Sequence, residues 1–338
     1  MDLSCLKTGF DNNIILFRNG MSAVFWDAAL FALSVTMPSV LLLVLGWFLR
    51  RTDQVDARFV DQASKLVFRY SMPALLFFSI YANETDYSAQ IPLLLAGAVA
   101  SLLLFVGAEI IAARTVKAPA DRGVFVQGVY RANTMIVGLA FVSNAYGSEG
   151  VAVGAVYGGA MTLLYNVLAV LTLSRASGSG SLNPLRMARQ IATNPLILAI
   201  VLALLAQSVR LPVPVLLQQT GHYLAIIALP LALICAGAAL DVKSLFKVSD
   251  ISLWSSLGRL IGAPLVAVAV GWAFGLQGIA MGVLFMMMAT PVAAASYVMA
   301  KAMGANDVAA ANIVGLTTIG AMPVAAAGIA LLRSLGWL

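Results

Sequence analysis

Apolar and polar positions alternate along this chain in long blocks rather than at a short period. Ten apolar runs fall at Phe25–Leu49, Ala63–Tyr81, Ile91–Ala113, Gly123–Asn144, Val151–Leu173, Asn194–Ser208, Leu216–Leu240, Ile251–Phe274, Ile279–Ala300 and Val308–Leu332. A membrane-spanning helix needs about 20 apolar residues, and short polar breaks separate these runs. The pattern predicts an all-α polytopic membrane protein of ten spans. The sixth run is the shortest and can draw on the preceding Met187-Ala-Arg-Gln190.

The ten runs divide into two sets of five that superpose at a spacing of 157 residues. Pro38 then meets Pro195, Pro73 meets Pro230, and Gly147-Ser-Glu-Gly-Val-Ala152 meets Gly304-Ala-Asn-Asp-Val-Ala309. A spacing of 172 aligns two other proline pairs, but only 157 also superposes the order of the runs and the turns between them. An odd number of crossings per copy turns the second copy upside down. Inverted repeats of this kind build one site that can open to either side. The predicted organisation is an N-terminal extension at 1–24, a first five-helix repeat at 25–173, a Ser/Gly-rich cytoplasmic linker at 174–190 and a second repeat at 191–338. The linker composition reads as flexible. Met21 immediately precedes the first long run and is the better candidate for the start, the alternative being an interfacial segment before it.

Composition sharpens this picture. The chain is 61% hydrophobic and 10% charged, against about 45–50% apolar and about 25% charged in soluble domains. Basic residues gather in alternate loops: Arg50, Arg51 and Arg58; Arg114, Lys117 and Arg122; Arg175, Arg186 and Arg189; Lys243 and Lys247; Lys301. The opposite loops hold Arg210 and the acidic Asn83-Glu-Thr-Asp86. By the excess of Lys and Arg in cytoplasmic loops, both termini face outward across a cell inner membrane. The net charge of +6 therefore points to the lipid bilayer as partner and not to nucleic acid. Two cysteines, Cys5 and Cys235, and a lone His222 give neither a disulfide framework nor a metal site. An intramembrane enzyme would need paired aspartates, a Ser–His dyad or a zinc motif, none of which the runs contain.

Runs four and nine carry the chemistry. The fourth places Arg131, Asn133 and Thr134 near mid-membrane, and the ninth places Thr290 and Pro291 at the equivalent depth. At the spacing of 157, Asn133 meets Thr290 and Thr134 meets Pro291. Proline removes a donor and clashes with the preceding turn, so the ninth run should break there. Such a break is tolerated at membrane depth only where it is buried or lines a cavity. Half-helix N-termini meeting there suit an anion. Taken alone, Pro291 is also compatible with a plain kink. A guanidinium at position 131 can grip a carboxylate with two parallel hydrogen bonds, or else snorkel or pair with Glu109. Glu109 is the one carboxylate well inside a run, a candidate for ion coupling or for an ion pair. Arg69 and Arg259 lie closer to run ends, where snorkelling is expected, and His222 reads as interfacial. Pro38, Pro73 and Pro230 should shape their helices. Asn166, Asn312, Thr317 and Thr318 read as links between helices.

Several of these stretches resemble the auxin efflux carrier family, which includes plant carriers and bacterial organic-acid carriers such as malonate transporters. They are Lys65-Leu-Val-Phe-Arg-Tyr-Ser-Met-Pro-Ala-Leu-Leu-Phe77, Tyr130-Arg-Ala-Asn-Thr-Met-Ile-Val-Gly-Leu139, Thr193-Asn-Pro-Leu196, Pro230-Leu-Ala-Leu-Ile-Cys-Ala-Gly237 and Ala289-Thr-Pro291. The resemblance implies broken, crossing helices four and nine and an elevator-like movement against a scaffold of spans 1, 2, 6 and 7. It further implies secondary transport of small organic anions, with Arg131, Asn133, Thr134, Thr290 and Pro291 at the substrate. In the plant carriers asparagine–proline motifs at both breaks hold a carboxylate. Here Asn133 lacks the following proline and Pro291 lacks the asparagine, which argues against auxin itself. No cofactor is implied; proton or sodium coupling and a homodimer are compatible with the pattern. A sodium-coupled symporter of the bile-acid type is the alternative, although it would require mid-span acids that this chain nearly lacks.

Overall fold

A computed structural model describes residues 4–82, 90–177, 189, 193–240, 249–302 and 305–338. Outside them lie most of the 174–190 linker, the Asn83–Asp86 loop, Lys243, Lys247 and Gly304 of the repeated turn. The side chains of Lys7, Arg18, Arg175 and Lys301 also lie outside the description.

Helix follows helix along the chain, as the long apolar runs require. The elements are α1 Ser4–Arg51, α2 Ala57–Leu66, α3 Met72–Ala82, α4 Ile91–Thr115, α5 Pro119–Tyr130, α6 Leu139–Ser177 and α7 Pro195–Ser208. They continue with α8 Val215–Ala238, α9 Asp250–Leu257, α10 Ala263–Ala273, α11 Gly278–Met288, α12 Ala295–Ala302 and α13 Asp307–Ser334. Among the described residues no strand forms, and six helical stretches are long and apolar enough to cross a membrane. The other expected spans fall short for visible reasons. The run at Asn194–Ser208 begins only at Pro195, with the Asn194 side chain accepting from the Leu196 amide as a cap. The fourth and ninth runs are interrupted, and the second carries the polar, amphipathic α2.

Three five-residue π stretches widen the backbone: Val67–Ser71, Thr134–Gly138 and Gly258–Gly262. Two of them end just before Pro73 and Pro264. A proline ring clashes with the carbonyl four residues earlier and offers no donor, and a π turn moves that carbonyl aside. The chain therefore stays helical through α2–α3 and α9–α10 instead of breaking.

The long α6 is not straight. Gly147, at φ 60 and ψ −144, interrupts it in a region that only glycine occupies readily. A Cβ on Gly154 would lie 3.2 Å from Leu139 Cδ2, and one on Gly158 would lie 2.6 Å from Met135 Sδ. In a continuous helix residues 139 and 154 stand about 22 Å apart. The chain thus doubles back at Gly147, at the turn that the polar break between the fourth and fifth runs predicts.

Packing divides into two neighbourhoods. Helix α8 packs on α1 and α3, and α3 on α7, while α4, α6, α9, α10 and α13 gather around the interrupted runs of α5 and α11–α12; α1 also packs along α13, and both α1 and α3 touch α6. Where α1 crosses α8, Gly237 sits against the Leu43 carbonyl and Gly46 against that of Ile234. Such small residues let membrane helices approach closely. The outward surface is apolar, with Leu30, Leu41, Leu103, Leu202 and Ile226 exposed. Exposed tryptophans stand near both ends of two apolar stretches, Trp26 and Trp47 on the 26–51 part of α1, Trp254 and Trp272 across α9–α10.

Candidate functional site

Helices α5 and α11 both stop in mid-bundle, at Tyr130 and Met288. A short non-helical segment follows each end, directly after Tyr130 and after a turn at Ala289–Thr290, and the two segments pair. Ala132 and Val292 form an antiparallel bridge. The Asn133 amide donates to the Pro291 carbonyl at 2.9 Å, and the Ala293 amide donates to the Arg131 carbonyl at 3.1 Å. The Val292 amide donates to Thr317 Oγ1 of α13 at 3.1 Å. Backbone groups that lost their helical partners are thereby satisfied inside the protein, as burial in an apolar surrounding demands. Gly138 permits the close approach, since a Cβ there would lie 2.5 Å from Met287 Sδ.

Four orphan carbonyls at each helix C-terminus still need donors. Arg259 supplies them. Its Nε donates to the Thr290 carbonyl at 2.9 Å, Nη1 to the carbonyls of Val129 and Tyr130 at 3.2 and 3.1 Å, and Nη2 to that of Met288. One guanidinium thus clamps the C-terminal ends of both interrupted helices. It is 0% exposed, so the snorkelling expected of Arg259 does not occur. The reason is depth: Arg259 lies nine residues into the stretch that begins at Asp250, about 14 Å along the axis, with carbonyl acceptors at hand. Each helix end carries roughly half a negative charge, so the two ends together offset the cation. Arg69, by contrast, is exposed, as snorkelling predicts.

Arg131 is also buried, at 5% exposure. Its Nη1 donates to Gln127 Oε1 at 3.1 Å and to Met299 Sδ at 2.8 Å, and its Nη2 to Asn166 Oδ1 at 2.8 Å. It neither snorkels nor pairs with Glu109, which accepts from Thr172 Oγ1 at 2.7 Å. Asn133 is half-buried, and within the described residues its side chain makes no hydrogen bond. Thr134 is buried as the first residue of its π stretch. Thr290 is fully buried and its hydroxyl donates to the Met287 carbonyl at 3.0 Å. The structure therefore brings Arg131, Asn133, Thr134, Thr290 and Pro291 to one crossing and leaves Glu109 in a different bond.

A cavity of about 760 Å³ opens between α1, α3, α6 and α8, lined by Pro38, Ser39, Asn144, Gly147, Gln218, His222 and Pro230 among others. Pro38 and Pro230 lie inside their helices there, and the Asn144 amide donates to the Val35 carbonyl one turn before Pro38 at 2.8 Å. The exposed His222 faces this space. Sequence reasoning missed three contributors, Arg259, Gln127 and Met299, and took Asn166 for a structural link. The available signal was Arg259 itself, a charge within a long apolar run.

The long apolar helices and the two buried, mutually paired helix interruptions make this a multi-pass membrane architecture. Residues 183–327 match the family model described as membrane transport protein, a match to the second part of the chain that agrees with its resemblance to auxin-efflux-carrier-like transporters. Members of the family are transporters rather than enzymes. The matched residues contain Arg259, Thr290 and Pro291; Arg131 and Asn133 lie before them. No curated protein matches the chain.

Proposed function

We propose that this protein is a secondary carrier moving small organic anions, malonate-like carboxylates foremost, across a cell inner membrane by elevator-like alternating access. Ten spans form two inverted repeats of five, with both termini outside. Helices α1–α3, α7 and α8 act as the scaffold, and the bundle holding the crossing moves against them. The substrate carboxylate sits at the crossing against Arg131, Asn133, Thr134 and the Thr290-Pro291 segment. One observation carries this reading above all: a buried guanidinium beside two paired helix breaks. Intramembrane charge is costly and is retained chiefly for function. The unbonded, half-exposed Asn133 amide adds a neutral ligand for the same oxygens.

The test is transport in vesicles reconstituted with purified protein and a panel of labelled mono- and dicarboxylates. Arg131→Ala and Asn133→Ala should each fold and each lose transport. For Arg131→Ala the loss should reach at least about 100-fold, the value of two charge-assisted hydrogen bonds. Normal rates in both variants would sink the site assignment.

A further inference from the structure

The two buried arginines differ in what surrounds them. Arg259 faces two helix C-termini whose partial charges offset its own, and backbone carbonyls take its donors. Arg131 faces only neutral groups: an amide oxygen from Gln127, an amide oxygen from Asn166 and the thioether of Met299. Among the described residues no carboxylate pairs with it. These three bonds leave two of its five N–H donors over. Gln127 Oε1 must point at the guanidinium, which only donates, so its Nε2 points away; that nitrogen is buried with no hydrogen-bond partner among the described residues. A buried cation without a counter-charge is strongly unfavourable unless something supplies one.

We infer that Gln127 and Asn166 are specificity-determining residues, amides placed where acids would neutralise Arg131, and that their neutrality reserves the guanidinium for one carboxylate of the substrate. This rests on the anion-carrier reading above and narrows it to one negative charge bound at the crossing. Met299 marks the position the carboxylate takes. A thioether is a weak acceptor on a flexible side chain, so it is the partner most readily displaced. The geometry of the amides is nearly that of the corresponding acids, so Asn166→Asp and Gln127→Glu change charge with little change of shape.

The experiment is calorimetric titration of the purified full-length protein with propionate and malonate, and with uncharged propionamide as control. Wild-type protein should bind both acids and not the amide. Asn166→Asp and, independently, Gln127→Glu should weaken acid binding at least about tenfold, because an internal ion pair now competes for the same donors. Neither should melt below the wild type. Asn166→Ala, which leaves the charge free, should retain acid binding within about threefold. Wild-type protein that binds neither acid overturns the carrier reading and this inference together. Wild-type binding that persists undiminished in both acidic variants overturns this inference alone, as does an Asn166→Ala loss equal to that of Asn166→Asp.

Discussion

Arg259 makes four hydrogen bonds to carbonyls, three at the ends of two helices and one in the break that follows the second, all distant from it in sequence. Removing it strands those carbonyls in an interior without water. Arg259→Ala should therefore destabilise the protein by on the order of 3–5 kcal/mol, the penalty of breaking a buried charged network. Arg259→Lys should recover only part, since a compact ammonium with three donors cannot span the fork. Melting curves in detergent check this, with the exposed Arg69→Ala shifting by no more than about 0.5 kcal/mol. The contrast also shows what single residues disclosed in advance. Both arginines announce themselves as charges inside apolar runs, and Arg131 stood out because Asn133 and Thr134 sit beside it. The role of Arg259 stayed hidden because its partners are backbone carbonyls, which carry no residue identity. Asn166 was legible as a polar group within a span, but its neighbour across the helices was not.

At the level of elements, the interruption at Pro291 was readable, since proline cannot continue the hydrogen-bond ladder. The interruption after Tyr130 has no proline. It exists because the partner segment returns two backbone bonds, through Pro291 and Ala293, and only the folded arrangement supplies them. The π stretches before Pro73 and Pro264 were equally hidden: the prolines predict disturbance, and neighbouring packing decides whether the helix breaks or widens. Gly147 was visible as part of a glycine-polar turn that repeats along the chain. Its φ of 60 with ψ of −144 is accessible almost solely to glycine. Gly147→Ala should cost about 1–3 kcal/mol, seen as a lower melting temperature, whereas Gly107→Ala, where no atom approaches, should be close to neutral or slightly stabilising through helix propensity.

Across the whole molecule, the apolar blocks announced a membrane protein at once, because composition and block length survive any detail of packing. The exposed tryptophans extend that inference. Trp26 and Trp47 are 21 residues apart on α1, and Trp254 and Trp272 are 18 apart across α9–α10, roughly 31 and 27 Å along helix axes. These spacings match a hydrocarbon core of about 30 Å with tryptophans at both interfaces. Vesicles of lipid brominated near the headgroup should therefore quench the intrinsic fluorescence more than lipid brominated near the chain ends; the reverse order would contradict this placement. The Arg259 clamp has a consequence for how the molecule is made. The ribosome delivers α5 well before Arg259, so the carbonyls of Val129 and Tyr130 wait uncapped while the rest of the chain is still being synthesised. The early half can reach the bilayer but cannot finish its own centre, and the late half cannot place its arginine without the early one. The centre of the molecule is therefore closed late in synthesis, by a single arginine.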